Sequence, residues 1–393
     1  MNIPLLRVLN QQLLRPQFCD PAELVSWMGG IQAQDLHWMK WALGVRLRSS
    51  GIDKIDKALK QGEILRLHIM RPTWHFVAAR DIRWMLKLST ERIERAYLSY
   101  ARSCGLNLPA ELPGKGCALL EKILAGHKNL TVAEIIEEFA RTGFSFDKQT
   151  VRILLAVAEA RGVICSGGMR AGRCIYALME ERVAPTPDID RHEALARLER
   201  SYFRSRSPVV RSDFVWWSGL TQREVRRAVG ISRSELSAER HNGQEWYVHR
   251  ACRTRGNLSA ASCLLPPYDE YLLGYKDRTE VLPKEHYHRA FTSYGIFYPV
   301  ILHRGRIIGN WNKKAKCGKF QLESELFAAE NDFDFHTAAA GYLKFEYWNH
   351  YRPHAGLGGK MVKPYPQDMN APVREVSFLG GLLHGYRREP MAA

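Results

Sequence analysis

The residues with the clearest chemical potential in this sequence are two glutamines separated by one alanine, Gln32-Ala33-Gln34. A carboxamide is not ionised at neutral pH and is a very weak base, so glutamine is a poor general base. Its oxygen does accept hydrogen bonds. Two such oxygens can hold a water molecule and turn their negative dipole ends towards a developing positive charge. The pair therefore suits a reaction that needs positioning and electrostatic stabilisation more than proton transfer.

The elements around the glutamines decide whether the two side chains can act together. Asp20 is a good N-cap and Pro21 suits the first position of a helix, which Gly29-Gly30 then ends. If the chain is extended after the glycines, residues two apart point to the same side, so the carboxamides converge and Ala33 faces inward. On a helix they would point in roughly opposite directions. An inert surface loop would carry the same residues, so the rest of the chain must decide between these alternatives.

The composition indicates a folded, basic protein. The chain has 393 residues, of which 46% are apolar, and 10 tryptophans, enough for a sizeable core. Its 57 Lys and Arg against 41 Asp and Glu give a formal charge of +16. This excess favours a polyanionic partner, most simply nucleic acid. A generally basic soluble protein is the alternative that charge alone leaves open.

Several classes of protein have no support in the sequence. No apolar run reaches the roughly 18 residues that a membrane helix needs. The N-terminus lacks a secretory pattern, so we expect a cytoplasmic protein that does not bind membranes. The 8 cysteines and 14 histidines form no cluster with zinc spacing, so no metal is expected. No glycine-rich loop precedes Lys-Ser or Lys-Thr, so we expect neither a nucleotide nor any other cofactor.

The middle of the chain predicts a winged helix. A short helical pattern over Leu119–Leu124 precedes a capping box at Thr131-Val132-Ala133-Glu134, and a further helix is predicted over 148–161. Strands at 163–165 and 174–178 flank a glycine-rich turn. The order helix, helix, helix, hairpin is that of a winged helix-turn-helix.

The same order recurs on both sides, so repetition of one module is the simplest account. In the third copy, an amphipathic helix over 191–203 precedes a capping box at Thr221–Glu224 and a hairpin with Asn242-Gly243 as its tight turn. The N-terminal segment follows the plan less clearly. Its predicted elements are helices near 4–14, 21–29, 37–47 and 53–61 and strands near 64–70 and 73–78.

Two linkers divide the chain, and after residue 257 the predicted winged-helix pattern gives way to β-strands and one helix. The stretch from Asn107 to Gly114 is rich in Pro and Gly, and Ala184-Pro185-Thr186-Pro187 is stiff. Beyond residue 258 we predict a β-hairpin over 297–311, a strand at 320–322 and a helix over 335–348. The fold class is therefore mainly α with β-hairpins, α+β. The predicted parts are winged-helix modules at 1–108, 109–187 and 188–257, a C-terminal β-hairpin and helix region at 258–350, and a tail at 351–393.

Tandem winged helices on a basic chain favour DNA binding, because the helix after the turn commonly enters the major groove while the wing contacts the backbone. Candidate contacts are Arg71, His75, Arg170, Arg173, Arg223, Arg226, Arg227, Arg304 and Arg306. Exposed arginines also form ordinary solvated faces, and winged helices also serve as protein-docking scaffolds. For His75, a buried and hydrogen-bonded position is a further alternative.

Two carboxylate-containing segments compete for a catalytic role. Asp35 follows the glutamines directly, but in an extended chain it points away from them, so we expect it to cap or orient the next helix. The cluster Tyr268-Asp269-Glu270-Tyr271 invites a catalytic interpretation. Packing between the third module and the C-terminal region is the expectation that we prefer.

Taken together, several segments resemble the AlkZ/YcaQ family of winged-helix bacterial DNA glycosylases. They are Gly30-Ile31-Gln32-Ala33-Gln34-Asp35 with Trp41 to Arg46, Ile64-Leu65-Arg66 with Met70 to Val77, Asp213 to Leu220, Leu265 to Arg278, and Gly295 to Phe297 with Gly309 to Trp311. Their shared order and spacing make the match strong. It covers about residues 1 to 350 and does not explain the tail after about Pro353.

The resemblance implies three tandem winged helices in a C-shaped body with a basic concave face, and a monofunctional DNA glycosylase. It implies double-stranded DNA with N-alkylated bases as the partner, including bulky adducts and some interstrand crosslinks, and we expect a monomer. The family motif is Gln, an apolar residue, then Gln or Asp, which Gln32 and Gln34 match in its Gln form. Pro72 departs from the glycine common in the family, so the turn before Thr73 differs.

Neutral glutamines suit this reaction. A purine alkylated at N7 or N3 carries a positive charge and leaves as a neutral molecule, so it needs no protonation. What remains is an electron-poor sugar and a water to capture it, which two carboxamides can position. The main alternative is a non-enzymatic DNA-binding protein, such as a transcription regulator built from winged helices. Such regulators normally carry a ligand or dimerisation domain, and the sequence offers no evident segment for one.

Overall fold

The structure, a computed structural model, describes residues 1–35, 38–49, 51–170, 173–316, 319–330, 332–350, 353–354, 360–361, 373–378 and 383–388. Helices and small antiparallel sheets make up these residues, which confirms the predicted mixed class. Across the described ranges, no helix combines the length and apolar character needed to cross a membrane.

The first module contains five helices and a three-stranded sheet. The helices are α1 (Ile3–Asn10), α2 (Pro21–Met28), α3 (Met39–Gly44), α4 (Ile52–Gln61) and α5 (Ile82–Ser103), and the strands are β1 (Ile31–Gln32), β2 (Ile64–Ile69) and β3 (Thr73–Ala78). Asp20 caps α2 as predicted, with its Oδ1 accepting from the Ala22 amide at 2.7 Å. Gly29 ends the helix with φ +65°, a conformation that glycine adopts without strain. The sheet order β1-β3-β2 leaves β1 at an edge.

The second module has the predicted order of three helices and a hairpin. Its elements are α6 (Leu112–Leu124), β4 (Leu130–Thr131), α7 (Val132–Arg141), α8 (Lys148–Ala160), β5 (Ile164–Arg170), β6 (Arg173–Leu178) and the short α9 (Met179–Arg182). The capping box of Thr131 and Glu134 opens α7 as predicted. The sheet order is β4-β6-β5, and residues 171–172 at the tip of the β5–β6 hairpin lie outside the described residues.

The third module repeats this plan with a two-stranded hairpin. Its elements are α10 (Arg191–Arg206), α11 (Arg211–Ser218), α12 (Gln222–Ile231), β7 (Leu236–His241) and β8 (Gln244–His249). Thr221 and Glu224 form the predicted capping box of α12. Asn242 and Gly243 both have positive φ at the turn between β7 and β8, as an Asn-Gly hairpin turn requires.

The C-terminal region is built on a four-stranded antiparallel sheet in the order β12-β11-β10-β9. Its elements are β9 (Ser262–Leu265), α13 (Glu270–Leu273), α14 (Tyr287–Ala290), β10 (Val300–His303), β11 (Arg306–Lys316), β12 (Lys319–Leu326) and α15 (Phe335–His350). The predicted hairpin and final helix are present, and β11 and β12 are longer than predicted. Four short strands are described within the predicted tail: β13 (Pro353–His354), β14 (Lys360–Met361), β15 (Val373–Phe378) and β16 (Leu383–Arg388).

Some predicted elements were wrong in length or missed. The first helix ends at Asn10 instead of near residue 14, because the backbone turns at Gln12 with φ +61°. The helix predicted over 37–47 spans 39–44. The 22-residue α5 was not predicted, and α6 begins at Leu112 inside the segment predicted to be a linker. Pro113 does not prevent this start, because the first turn of a helix needs no partner for its N–H groups.

Hydrophobic cores are shared between the predicted parts of the chain, although the second module also encloses a core of its own. One buried cluster joins Leu67 of β2, Met85 of α5, Leu198 of α10 and Trp217 of α11. A second joins α2 and α3 to the C-terminal sheet and to α15. Strand β1 belongs to the second cluster and is joined to the first by the β3 strand beside it. Residues far apart in sequence therefore meet around the two glutamines.

Candidate active site

The Gln32-Ala33-Gln34 motif lies on the edge strand of the first module. Gln32 pairs with His75 in antiparallel register, and the Ala33 amide donates to the Trp74 carbonyl at 2.7 Å, so the chain adopts the extended one of the two conformations that the sequence left open. The Ala33 side chain is buried, Gln32 is 7% exposed, and Gln34 is exposed. Strand pairing therefore holds Gln32 firmly while Gln34 reaches solvent.

Neighbouring groups hold the C-terminal end of the motif. The Trp74 amide donates to Gln34 Oε1 at 3.4 Å. Arg66 on β2 donates from Nε to the Ala33 carbonyl at 2.9 Å and from Nη2 to the Gln34 carbonyl at 3.4 Å. Its guanidinium also lies over the Trp74 ring, 4.1 Å from the ring centroid. Arg66 thus supports the motif, a role that sequence reasoning did not identify.

Asp35 orients the start of the next helix, one of the two roles expected of it, although Trp38 is the N-cap residue. Asp35 Oδ1 accepts from the Trp38 amide at 3.2 Å, and the Asp35 carbonyl accepts from the Met39 amide at 3.0 Å, at the start of α3. The carboxylate that follows the motif is therefore engaged with the next helix.

A different carboxylate, Glu270, lies directly against the motif. Glu270 Oε1 accepts from the Gln32 backbone amide at 2.9 Å, although 238 residues separate the two positions. Its Oε2 accepts from Arg206 Nη2 at 2.5 Å and from Trp217 Nε1 at 3.1 Å. Arg206 also donates to the Met28 carbonyl just before the motif, at 2.6 Å. We call Arg206, Trp217 and Glu270 the buried anchor of Gln32.

Within the anchor, the carboxylate of Glu270 is buried and forms an ion pair with Arg206. Burial by itself would raise the pKa of Glu270, but the charge and hydrogen bonds of Arg206, together with the Gln32 amide, bring that pKa below its ordinary value. Glu270 begins α13, whose N-cap Asp269 is held by Arg46 at 2.7 and 2.8 Å. The sequence analysis identified the segment 268–271 as a candidate but preferred a packing role for it. The signal that could have indicated a site was the adjacent acidic pair, Asp269 and Glu270, between two tyrosines.

His75 is a buried neighbour of Gln32. It is 1% exposed, and its Nδ1 lies 2.9 Å from the Thr73 carbonyl oxygen. Burial lowers the pKa of His75 to about 4, although the Glu270 carboxylate and the Thr73 carbonyl oppose the shift, so the ring is neutral at pH 7. A residue this buried has no surface for a phosphate. The structure thus matches the alternative of a buried histidine. His75 lies beside Gln32 as its partner on the neighbouring strand.

Arg71 lies at the turn between β2 and β3 and is partly exposed. Its guanidinium is 5.2 Å from the ring centroid of Trp216, whose side chain is also exposed at the end of α11. Arg278 lies over the same ring at 5.7 Å. Burial lowers the pKa of both arginines, that of Arg278 to about 10, yet both remain charged at neutral pH. The first module and the C-terminal region thus bring two cations together around one aromatic side chain of the third module.

The remaining candidate arginines are exposed but differ in setting. Arg223, Arg226 and Arg227 lie on the solvent side of α12. Arg170 and Arg173 face each other across the end of the β5–β6 hairpin, and Arg170 forms an ion pair with Glu134. Arg304 at the tip of the β10–β11 hairpin pairs with Asp332, and the adjacent Gly305 packs on Pro4, while Arg306 begins β11 with an exposed side chain. The tip that holds Arg304 is therefore docked on the protein body.

Metal chemistry has no evident location. In the portion of the chain that is described, no three His, Cys, Asp or Glu side chains are arranged to bind a metal ion. The chemistry available around the motif is that of two carboxamides, a buried carboxylate and nearby cations.

Comparisons with known proteins identify the family of the chain. A family model described as "DNA glycosylase AlkZ-like" matches residues 25–345. The chain is 23% identical over 329 residues to the "Interstrand DNA cross-link repair glycosylase" of Streptomyces sahachiroi, which covers 77% of this chain and 85% of that protein. It matches the solved structure of the Streptomyces sahachiroi DNA glycosylase AlkZ with a TM-score of 0.70 and 19% identity, over 88% of this chain and 95% of the other. Because the family model spans most of its length, the chain belongs to the AlkZ-like family of DNA glycosylases.

Proposed function

We propose that this enzyme hydrolyses the N-glycosidic bond of purines alkylated at N7 or N3 in double-stranded DNA, with a water molecule positioned by Gln32 and Gln34. The observation that carries the proposal is the extended Gln32-Ala33-Gln34 motif on edge strand β1, fixed through the Gln32 amide by the buried anchor.

The leaving group explains why neutral side chains suffice. An N7-alkylated guanine is already cationic, so the electron pair of the broken bond neutralises it and no general acid is needed. The sugar left behind resembles an oxocarbenium ion. A water molecule captures it at C1′ and then loses one proton to the solvent. An unmodified purine departs far more slowly, so part of the selectivity lies in the substrate.

The two glutamines and the buried anchor have different roles in the proposed reaction. The carboxamide oxygens of Gln32 and Gln34 accept hydrogen bonds from the water and direct negative dipole ends towards the sugar. The Glu270 carboxylate does not reach the water in this proposal. It accepts a hydrogen bond from the Gln32 backbone amide at 2.9 Å, and because its charge is balanced by that of Arg206, its part is to position Gln32.

Exposed cations supply the contacts with DNA. Arg71, beside Trp216, lies on the hairpin that carries the motif's pairing strand, so it suits a phosphate next to the lesion. Arg223, Arg226 and Arg227 on α12 and Arg170 and Arg173 on the β5–β6 hairpin suit phosphates farther along the duplex.

Bulky adducts and interstrand crosslinks are the extended substrate class that we propose. A related protein is named as an interstrand cross-link repair glycosylase. A crosslink through N7 of two guanines has a cationic base at each end, so the same unassisted departure would release one strand at a time.

The test is release of free 7-methylguanine from a duplex under single-turnover conditions. We expect release by the natural protein and a loss of about 10²–10³-fold in rate for Gln32→Ala/Gln34→Ala, the range that removal of a positioned polar group commonly causes. Gln61→Ala is the matched control, because Gln61 is an exposed glutamine at the end of α4. A denaturing gel on a duplex crosslinked through N7 of guanine tests unhooking.

Tight binding to alkylated duplexes with no release of base would refute the glycosylase mechanism proposed here. Release at an unchanged rate by the double variant would instead leave the reaction in place and remove Gln32 and Gln34 from it.

A further inference from the structure

A cavity of about 780 Å³ lies where the β2–β3 hairpin and α5 of the first module meet α8 of the second. Its aromatic walls come from Trp74, Tyr97, Tyr100 and Tyr176. Tyr176 is buried at its inner side, whereas Tyr100 is 54% exposed. The cavity thus has an aromatic interior and an open end.

The cavity adjoins the catalytic motif through Trp74. The Trp74 side chain lines the cavity, while its backbone amide and carbonyl bond to Gln34 Oε1 and to the Ala33 amide. Arg66 over the ring keeps the indole in place, 4.1 Å from its centroid. Trp74 therefore connects the cavity to the edge of the sheet at which Gln34 lies.

The interior holds a carboxylate with one unused oxygen. Glu159 of α8 is 1% exposed and lines the cavity. Its Oε2 lies 2.7 Å from His68 Nδ1, but its buried Oε1 has no hydrogen-bond partner among the described residues. A buried acceptor without a partner is unfavourable, so this oxygen is suited to a donor or a positive charge that enters from outside.

The open end of the cavity carries positive charge, opposite in sign to the Glu159 carboxylate inside. Lys148 and Arg152, both exposed in the first two turns of α8, line the open end of the cavity. Cations at the mouth suit the phosphates that flank a nucleotide. A carboxylate and aromatic rings inside suit a flat cation.

We propose that this cavity receives the alkylated purine itself, extruded from the duplex, with Glu159 facing the positively charged base and the tyrosines against its ring. Enzymes that act on bases commonly extrude the target base from the duplex and stack it against aromatic side chains. This assignment rests on the proposed reaction, to which it adds a binding site for the leaving group. It also adds discrimination, because a neutral purine of the same shape gains hydrogen bonds at Glu159 but no ionic attraction.

The test compares two duplexes that the enzyme cannot cleave. One carries 2′-fluoro-7-methyl-2′-deoxyguanosine, whose base is cationic, and the other carries 7-deaza-7-methyl-2′-deoxyguanosine, which has a neutral base of the same shape. We expect the natural protein to bind the cationic duplex about tenfold more tightly, as a desolvated cation–π and ionic contact would give. Glu159→Gln should reduce the ratio of the two Kd values severalfold, to what the aromatic rings alone give, without changing binding to the neutral duplex.

A matched control and a second variant keep the test decisive. Glu137→Gln removes a carboxylate that is exposed on α7 of the same module, and should keep the ratio. Tyr100→Ala, at an exposed position, should weaken binding to both lesion duplexes severalfold and leave undamaged DNA unaffected. A ratio retained in Glu159→Gln, or lesion binding unchanged in Tyr100→Ala, would overturn the assignment.

The binding test of the cavity and the release test of the proposed reaction can fail independently of each other. If the natural protein releases 7-methylguanine but Glu159→Gln keeps the binding ratio, the reaction stands and the cavity assignment fails. If no base is released, the reaction fails, and the binding ratio on uncleavable duplexes still decides whether the cavity accepts a cationic base.

Discussion

The ion pair between Glu270 and Arg206 should dominate the stability of the region around the motif. Both side chains are fully buried, with exposures of 1% and 0%. Replacing Glu270 by Gln keeps the shape of the side chain but leaves the Arg206 guanidinium without its counter-charge. Removing one partner of a buried pair costs roughly 3–5 kcal/mol.

Three observations narrow this range. Arg206 keeps the Met28 carbonyl at 2.6 Å and the Gly30 carbonyl at 3.3 Å as acceptors, and it stacks 4.4 Å from the Trp217 ring centroid. These contacts retain part of its stabilisation. The carboxamide of Glu270→Gln can still accept from the Gln32 amide. We therefore expect the free energy of unfolding to fall by about 3 kcal/mol, the lower end of the range.

Equilibrium urea unfolding, followed by tryptophan fluorescence and by circular dichroism, measures this loss. Arg206→Met alone should cost a similar amount, whereas Arg206→Met/Glu270→Gln should cost clearly less than the sum, because no isolated charge remains buried. A loss below about 1 kcal/mol for Glu270→Gln, or additive losses in the double variant, would refute the reasoning. Because the pKa of Glu270 is lowered in the fold, its contribution is complete above the ordinary value of 4.5 and is lost as the pH falls below it.

Three further outcomes follow from other contacts. Gly29→Ala should lower the free energy of unfolding by about 1–3 kcal/mol in the same urea measurement, because Gly29 has φ +65° and a Cβ there would lie 2.8 Å from Ser201 Cβ, whereas Gly51→Ala meets no atom within 4 Å. Between pH 7 and pH 5 an unfolded chain protonates His75 while the fold, with its pKa of about 4, does not. Acidification should therefore destabilise the natural protein by about 2 kcal/mol more than His75→Gln, as thermal unfolding at each pH would record. Arg226→Ala should reduce the slope of log K against log salt by about 0.9 in fluorescence-anisotropy titrations if Arg226 contacts one phosphate, and an unchanged slope would exclude it from the interface.

The parts of the fold that the sequence predicted well are those specified by neighbouring residues. The Thr131 and Thr221 capping boxes act over three residues, and the Asn242-Gly243 turn over two. Each satisfies backbone groups whose positions are set locally, so tertiary packing had little to change.

The parts that were missed depend on distant residues. Helix α6 begins at Leu112 despite a local composition typical of a linker, because Leu120 and Leu124 pack into the core of the second module. Glu270 meets Gln32 only after the third module and the C-terminal region have come together. No spacing in the sequence encodes that contact, and the polar segment around Glu270 was equally consistent with packing.

The link between Gln32 and Glu270 also orders events during synthesis of the protein. A ribosome that has made the first module has not yet made Glu270, which follows Gln32 by 238 residues, nor Arg206 and Trp217. Domains commonly fold as they emerge, but here the strand that carries the glutamines lacks its anchor until most of the chain has left the ribosome. An interrupted translation product would thus end before its glutamines were fixed.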